Sequence, residues 1–582
     1  MRIMACAVSC LLLSCLLAIG AMAQSNDFRA TFSLVPASQS CIDFVHTDGG
    51  TGDRYIVETV LGSLALLDYD NDGLIDIYFV NGAPLPSTKT KAIATGQPTN
   101  RLYRNLGGFR FADVTVQSGL GDLSYGMGVV VGDVDEDGDA DVFLSNFGRD
   151  RFYLNQADGT FTEAAQACGF SAPARFGAGN SLFDMDLDGD LDLYCATYVE
   201  FDFSKHRTRT IAGKEFNTGP NDYSPAADFL YRNNGDGSFT DVSSVAGIDA
   251  IRSPGMGVLA ADFDDDGDMD VFVANDQQPN FMWINEAGKF HDEALVAGVA
   301  FDRNGKANGN MGVEYADLNG DGRLDLVTTT YQDEMPVYYE ALDAGLFTDS
   351  TNLAKIDLTL NPHVKWGVGA CDFDNDGDND LFIACGHFLD NIRAIDDRTD
   401  VKVKNYLLTN NGNGVFRNVT ATAGSAMQVI ESSRGAAFDD LDNDGDLDMV
   451  VLNINAEATL AGNDLPSATT TSLSVRLIGT RSNRDAVGSK VSLRAAPLSR
   501  SLRQVVLAGR GYESHYGSRL HFGLGADSQT STVLSPIIQV TWPTGQTEEF
   551  DCSIETSHTT ATLIEGGGRI AKRWSVNGLN SR

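Results

Sequence analysis

Seven nine-residue stretches place oxygen ligands at every second position and close on a further aspartate. In the fourth, Asp262, Asp264 and Asp266 stand at positions 1, 3 and 5, Gly267 follows, and Asp270 ends the stretch. Convergent carboxylates with one backbone carbonyl near position 7 supply the roughly six to eight oxygens that Ca2+ takes, and the glycine turns the chain between them. Mg2+ suits such a cage less well, because it keeps several waters and holds to a strict octahedron. The same set recurs at Asp68, Asp70, Asp72 and Asp76; at Asp133, Asp135, Asp137 and Asp141; and at Asp184, Asp186, Asp188 and Asp192. It returns at Asp317, Asn319, Asp321 and Asp325; at Asp372, Asp374, Asp376 and Asp380; and at Asp440, Asp442, Asp444 and Asp448. Asn319 removes one charge from the fifth cage and predicts weaker affinity there. The twelfth residue from each start is Phe79, Leu144, Cys195, Val273, Thr328, Ile383 or Val451. None is the bidentate Glu that an EF-hand needs, so these are a different cation loop, with up to seven Ca2+ expected.

Residues for covalent chemistry are sparse. The eight histidines show no metal-ligand spacing, no nucleophile motif is present, and no catalytic or organic-cofactor residues are assigned. The abundant acids could furnish a glycosidase pair, which keeps one alternative open: an extracellular enzyme acting on a polysaccharide or another polymer at the mouth of a central channel.

The loops need positioning elements, and the flanking sequence supplies them. A Gly-rich apolar strand leads in (GMGVLAAD before Asp264), an apolar strand leads out (VFVAN), and a second hairpin follows, as in FLYRNNGDGSFTDVS from Phe229. Two β-rich runs around a short Gly-containing turn read as a hairpin. Four short strands cannot bury their faces singly, whereas repeated units stacked radially can. The pattern predicts an all-β seven-bladed β-propeller over residues 27–461. Its Gly-rich strands lie at the crowded axis, and segments within residues 28–46 supply the outer strands missing from the seventh blade.

The 42 Lys and Arg against 80 Asp and Glu give a net charge of -38, and seven bound Ca2+ would bring it to about -24. That balance excludes a nucleic-acid partner, which requires a basic footprint. Residues 1–23 read as a secretory signal, with Arg2 before a short apolar run and Ala21-Met22-Ala23 before Gln24. A lipoprotein signal acylated at Cys15 competes with it, but the residues after Cys15 stay apolar. No stretch reaches the about 18 apolar residues of a transmembrane helix. The six cysteines beyond the signal make no disulfide framework. A long insertion after Tyr198 carries Lys205, His206, Arg207 and Arg209, the most basic patch of the chain. After a linker at 462–471, the alternation in SLSVRLI, RQVVLAG and IIQVTW predicts a small C-terminal β domain over 472–562, with a tail at 563–582.

The Gly strand, DxDxDGxxD loop and LYxNxGxGxFxDVT hairpin together resemble FG-GAP/VCBS repeats, the blades of integrin α-chain propellers. The blocks NRDAVGSKV, GRGYESHYG, HFGLG and VTWPTG resemble the ASPIC/UnbV domain, and the pair in this order is similar to the cartilage acidic protein-like family. The resemblance spans roughly residues 40 to 550. It implies a secreted Ca2+-binding adhesion or matrix protein, periplasmic or on the cell surface if bacterial, without enzymatic activity. Its calcium is mainly structural, and its partner is an extracellular protein or glycan.

Overall fold

The computed structural model describes residues 28–86, 98–171, 173–466, 470–495, 498, 500–525, 535–554, 557–568 and 570–575. The expected export signal and Cys15 lie outside them. Among the described residues, seven units of four antiparallel strands form the blades: five are separate sheets, and blades two and three are joined into one eight-stranded sheet where Arg175 and Phe176 pair with Gly148 and Phe147. The fourth is Gly255–Ala261, Asp270–Asn275, Phe281–Asn285 and Phe290–Asp292, and the nine-residue loop joins its first two strands. The innermost strands begin at Leu64, Tyr125, Arg175, Gly255, Asn310, Lys365 and Ser433, and each packs against the next. The last, Ser433–Asp439, packs back against the first, Leu64–Leu67, so the ring is closed.

Glycine sets how tightly the inner strands approach. Five residues before the first loop aspartate stands Gly128, Gly179, Gly257, Gly312, Gly367 or Gly435 in blades two to seven. A Cβ on Gly257 would lie 2.5 Å from the Met311 carbonyl oxygen, one on Gly312 2.6 Å from that of Trp366, and one on Gly435 2.7 Å from that of Gly62. Each collision is with the backbone of the next blade, which cannot swing aside. Blade one has Ser63 at this position, and its hydroxyl donates to the Met127 carbonyl of blade two.

The ring closes as expected through the N-terminus, but with one strand instead of several. Phe32–Leu34 pairs with Thr459–Asn463 as the outermost strand of blade seven. The segment Cys41–Thr47 contributes only an isolated bridge, Val45 to Glu457. The third strand, Thr459–Asn463, runs past the expected boundary at 461 because Asn463 bonds back into the loop of its own blade. Part of the expected linker is therefore structural.

The C-terminal unit has two sheets. One orders Leu520–Gly523, Ser472–Ile478, His558–Ile564 and Ile570–Ser575, with the middle pair parallel. The other orders Leu502–Val505, Lys490–Arg494, Ile537–Thr541 and Thr547–Asp551. Residues expected to be tail thus complete one strand and form another. The polar composition of this stretch concealed an edge strand, Ile570–Ser575, paired with His558–Ile564. The apolar core of this unit is continuous with blades two and three, through Val130, Phe143, Leu182 and Leu191.

The segment Leu507–Tyr516 enters the axis of the ring. Leu182 N–H donates to Ala508 O at 3.0 Å, Val129 N–H to Glu513 O at 3.0 Å and Leu66 N–H to His515 O at 2.9 Å, while Val313 and Gly511 exchange two bonds of 2.9 Å. Tyr512 continues inward, its hydroxyl donating to Val60 O at 2.6 Å and its ring 5.2 Å from that of Trp366. Tyr55, Ile56, Met127, Met256 and Met311 fill the far end. The insertion after Tyr198 covers that end with Phe201 and Phe203, and His206 packs 4.6 Å from the Tyr55 ring. The axis is therefore filled with side chains from Tyr512 to this insertion. GRGYESHYG shows no strand or helix period that could have disclosed where this segment goes.

Replacing Gly312 with valine forces a side chain into the Trp366 carbonyl, and overpacking of this kind costs about 1–3 kcal/mol or more. Denaturant melts of G312V should show a stability loss in that range. Wild-type stability would contradict the close approach of the inner strands.

Candidate cation cages and their cap

Each loop turns through two left-handed residues. Position 4 is Asn71, Glu136, Leu187, Asp265, Gly320, Asn375 or Asn443, with φ between 56° and 74°. Position 6 is always glycine, with φ between 87° and 103°. Position 5 then caps position 7: Asp72 Oδ1 accepts from Leu74 N–H at 2.9 Å, and its six counterparts do the same. Position 1 accepts amide N–H bonds from the turn, as when Gly138 N–H donates to Asp133 Oδ2 at 2.8 Å.

Position 9 couples the loop to the rest of its blade. Asp270 Oδ2 accepts from Phe263 N–H at position 2, and its Oδ1 accepts from Asn285 N–H on the third strand, both at 2.9 Å. The third-strand bond recurs in every blade.

A residue passed over in the sequence joins neighbouring blades. Asn285 Nδ2 donates to Met269 O in its own loop at 3.2 Å and to Met185 O, at position 2 of the preceding loop, at 2.7 Å. Asn105, Asn155, Asn233, Asn410 and Asn463 repeat both bonds. The signal was the N of the LYxN hairpin, present in six of the seven blades and legible as a repeat but not as an inter-blade tie. Blade five has Ala341 there, and Gly345 N–H takes over the bond to Phe263 O at 2.8 Å. Leaving such a buried carbonyl unpaired costs about 1–3 kcal/mol.

Ligand oxygens of positions 1, 3 and 9 lie within 4.8 Å of one another in Asp68, Asp70 and Asp76; in Asp133, Asp135 and Asp141; in Asp184, Asp186 and Asp192; and in Asp262, Asp264 and Asp270. In the sixth loop the convergent set is Asp372, Asp374 and Asp376. The position-5 residues Asp72, Asp137, Asp188 and Asp266 are not in the first four sets; each is engaged on the turn. In the fifth loop, Asn319 Oδ1 accepts from Asp321 N–H and its amide donates to Glu340 at 3.2 Å. The donors fit a hard cation. All are oxygens, and Asp68 Oδ1, Asp70 Oδ1, Asp262 Oδ1, Asp374 Oδ1 and Asp380 Oδ2 are buried with no hydrogen-bond partner.

Burial first, and neighbouring carboxylates after it, raise these acids. Asp133, Asp141 and Asp270 are pushed up to about 8, Asp325 and Asp374 to about 7, and Asp184 to about 6. The largest contribution at Asp133 after burial is Asp485 of the C-terminal unit, which also accepts the Asp133 N–H at 2.8 Å.

That unit covers the loop face. Arg476 lies 4.0 Å from Asp68, Arg484 3.4 Å from Asp133 and Lys490 2.9 Å from Asp262. Arg503 donates to Gly322 O and Arg500 to Gly377 O, both at 2.7 Å. Arg519 holds Asp439 at 2.6 Å and Asp440 O at 2.7 Å, and His521 meets Asn375 at 2.6 Å. The exposed pairs contribute little individually. Buried Arg519 with Asp439, and Arg510 with Glu314 at the axis, fix the docking geometry, because breaking either leaves a buried charge unpaired.

The expected basic patch is mostly committed elsewhere: Arg209 pairs with Asp222 at 2.5 Å, and Lys205 lies 3.6 Å from Asp202. Cys168, Cys195, Cys385 and Cys552 are buried and Cys41 is exposed; none of the described cysteines is in a disulfide.

The FG-GAP-like repeat family matches residues 68–144, 133–195, 218–273, 262–328 and 372–451, more than half of the chain. The chain belongs to the FG-GAP-like repeat family. Residues 479–567 of this FG-GAP-like protein match the ASPIC and UnbV family. It is 27% identical to cartilage acidic protein 1 of Mus musculus over 281 residues, 46% of this chain and 38% of the relative. It is 26% identical to that of Xenopus tropicalis over 318 residues, 53% of this chain and 43% of the relative. The chain thus spans about two fifths of the length of the curated relatives it matches. Among solved structures, an Agrocybe aegerita lectin that recognises non-reducing terminal N-acetylglucosamine matches with a TM-score of 0.36 and 17% identity, over 62% of this chain and 79% of the lectin.

The raised loop acids give a signed pH dependence. A group whose folded pKa lies above its unfolded value, here near 4, favours the fold at low pH and loses that contribution as pH rises through its folded pKa. Cation-stripped protein should therefore melt at a lower temperature at pH 8 than at pH 5. With millimolar Ca2+ the order should reverse, because protons compete with the ion for the same oxygens. Thermal melts at the two pH values check this; the same ordering with and without Ca2+ would contradict it.

Proposed function

We propose that this chain is an exported protein that binds Ca2+ in its seven loops and works non-covalently, presenting a rigid disc to an extracellular protein or glycan. The observation that carries the reading is the set of buried carboxylate oxygens without hydrogen-bond partners, repeated around a ring whose blades are tied through the same loops. Calcium in this reading is structural: it neutralises each cage, and the cage holds the third strand and the neighbouring blade. The likeness to cartilage acidic protein 1 supports an extracellular interaction role, and the packed axis directs partners to the outer surfaces. In this reading the propeller spans residues 28–463 and its cap 472–575.

A ligand that binds only the folded state stabilises it by RT ln(1 + [L]/Kd), about 2.7 kcal/mol per site at a hundredfold excess over Kd. Equilibrium dialysis with elemental analysis should find close to seven Ca2+ per chain, the fifth cage filling last, and the melting midpoint should rise steeply with Ca2+. A midpoint indifferent to Ca2+ would overturn the structural role.

A further inference from the structure

Blade five breaks the repeat, and a cavity lies against the break. Its third strand carries Ala341 where other blades carry the tying asparagine, and a bulge between Ala341 and Asp343 lengthens its hairpin. Bulges of this kind re-aim side chains and gather beside binding sites. The cavity holds about 260 Å3 between blades four and five and the C-terminal sheet. That is slightly below the roughly 300–1,000 Å3 of drug-sized sites and suits one small ring.

Phe263, Tyr315 and Phe347 contribute apolar surface to it, and Arg503, Gln504 and Gln539 bring polar groups from the C-terminal unit. Neither the Tyr315 hydroxyl nor the Gln539 amide has a hydrogen-bond partner among the described residues. The charges present are largely engaged: Lys490 with Asp262 and Asp265, Arg323 with Asp321 at 3.3 Å, Arg503 with Gly322 O, and Asp343, which has no cation beside it among the described residues, with the Ala344 N–H at 3.0 Å. A phosphate or a zwitterion would have to displace these contacts. A neutral polyol needs none of them displaced, since each hydroxyl both donates and accepts and its ring presents an apolar C–H face to an aromatic side chain.

We infer that this inter-domain cavity binds one neutral sugar ring, with Tyr315 and Gln539 fixing its hydroxyls. The inference rests on the extracellular-interaction reading above and names the chemistry of the partner. The whole chain, loaded with Ca2+, should be titrated with neutral methyl hexopyranosides, with methyl uronates and free amino acids as separate arms, by saturation-transfer NMR and calorimetry. The expected result is binding of a neutral hexoside that Q539A and Y315F each weaken about tenfold, in line with loss of one hydrogen bond. Absence of transfer to every neutral hexoside, equal binding by wild type and both variants, or variant-sensitive binding of only a uronate or an amino acid would overturn it. Calcium-dependent melting of the same samples separates the two readings: its retention without sugar binding sinks the cavity alone, and its loss sinks the scaffold.

Discussion

The carboxylate that ends each loop is the contact on which the ring depends. Asp270 and its counterparts receive one amide from the start of their own loop and another from the third strand, and the asparagine bearing that second amide reaches the previous blade. Loop, blade and ring are therefore one hydrogen-bonded object. The acids that make this possible also crowd one another. Desolvation and mutual repulsion lift most of the loop carboxylates well above the ordinary range, so the same groups that organise the ring strain it until a cation or a proton is supplied.

The net charge of -38 takes on a spatial meaning from this arrangement. The acids gather on the loop face, and a good part of the few cations stand opposite them on the C-terminal unit: Arg476, Arg484, Lys490, Arg500, Arg503 and Arg519. Their pairings are lopsided. Six loops meet a cationic side chain among the described residues, yet buried Asp485 adds an anion beside Asp133. The cap thus relieves the loop face incompletely, and a bound cation still has charge to neutralise in every cage.

The blades were legible in the sequence because their signals are local and repeated. The spacing of Asp262, Asp264, Asp266 and Asp270 specifies a loop, and the Gly-rich strand before it specifies close packing at an axis. Closure through the N-terminus followed from counting hairpins, although only Phe32–Leu34 takes part as a strand and Val45 adds a single bridge. Three features were not legible, each for a physical reason. The role of Asn285 depends on a carbonyl 100 residues away. The axial course of Leu507–Tyr516 is set by hydrogen bonds to four different blades and leaves no periodic trace. The cap's arginines look like ordinary solvated cations until the loop face is placed beneath them. Spacing alone placed all four loop oxygens together; it did not disclose that position 5 also caps the turn, accepting the N–H of position 7 in every loop.

Coupling between cation loops, cap and axial segment is the central claim, and hydrogen exchange reads it directly. The amides of Leu66, Val129, Leu182 and Val313 sit on four blades and donate only to the axial segment. Their exchange should be followed as Ca2+ is added to cation-stripped protein, at constant pH and below the melting midpoint. If neutralised loops hold the cap, and the cap holds the segment, these four amides should gain protection together and over the same Ca2+ range as the loop amides Gly73, Gly138, Gly189 and Gly322. Axial amides equally protected with and without Ca2+, while the loop amides respond, would show that the cap docks independently of the cages and would contradict the account.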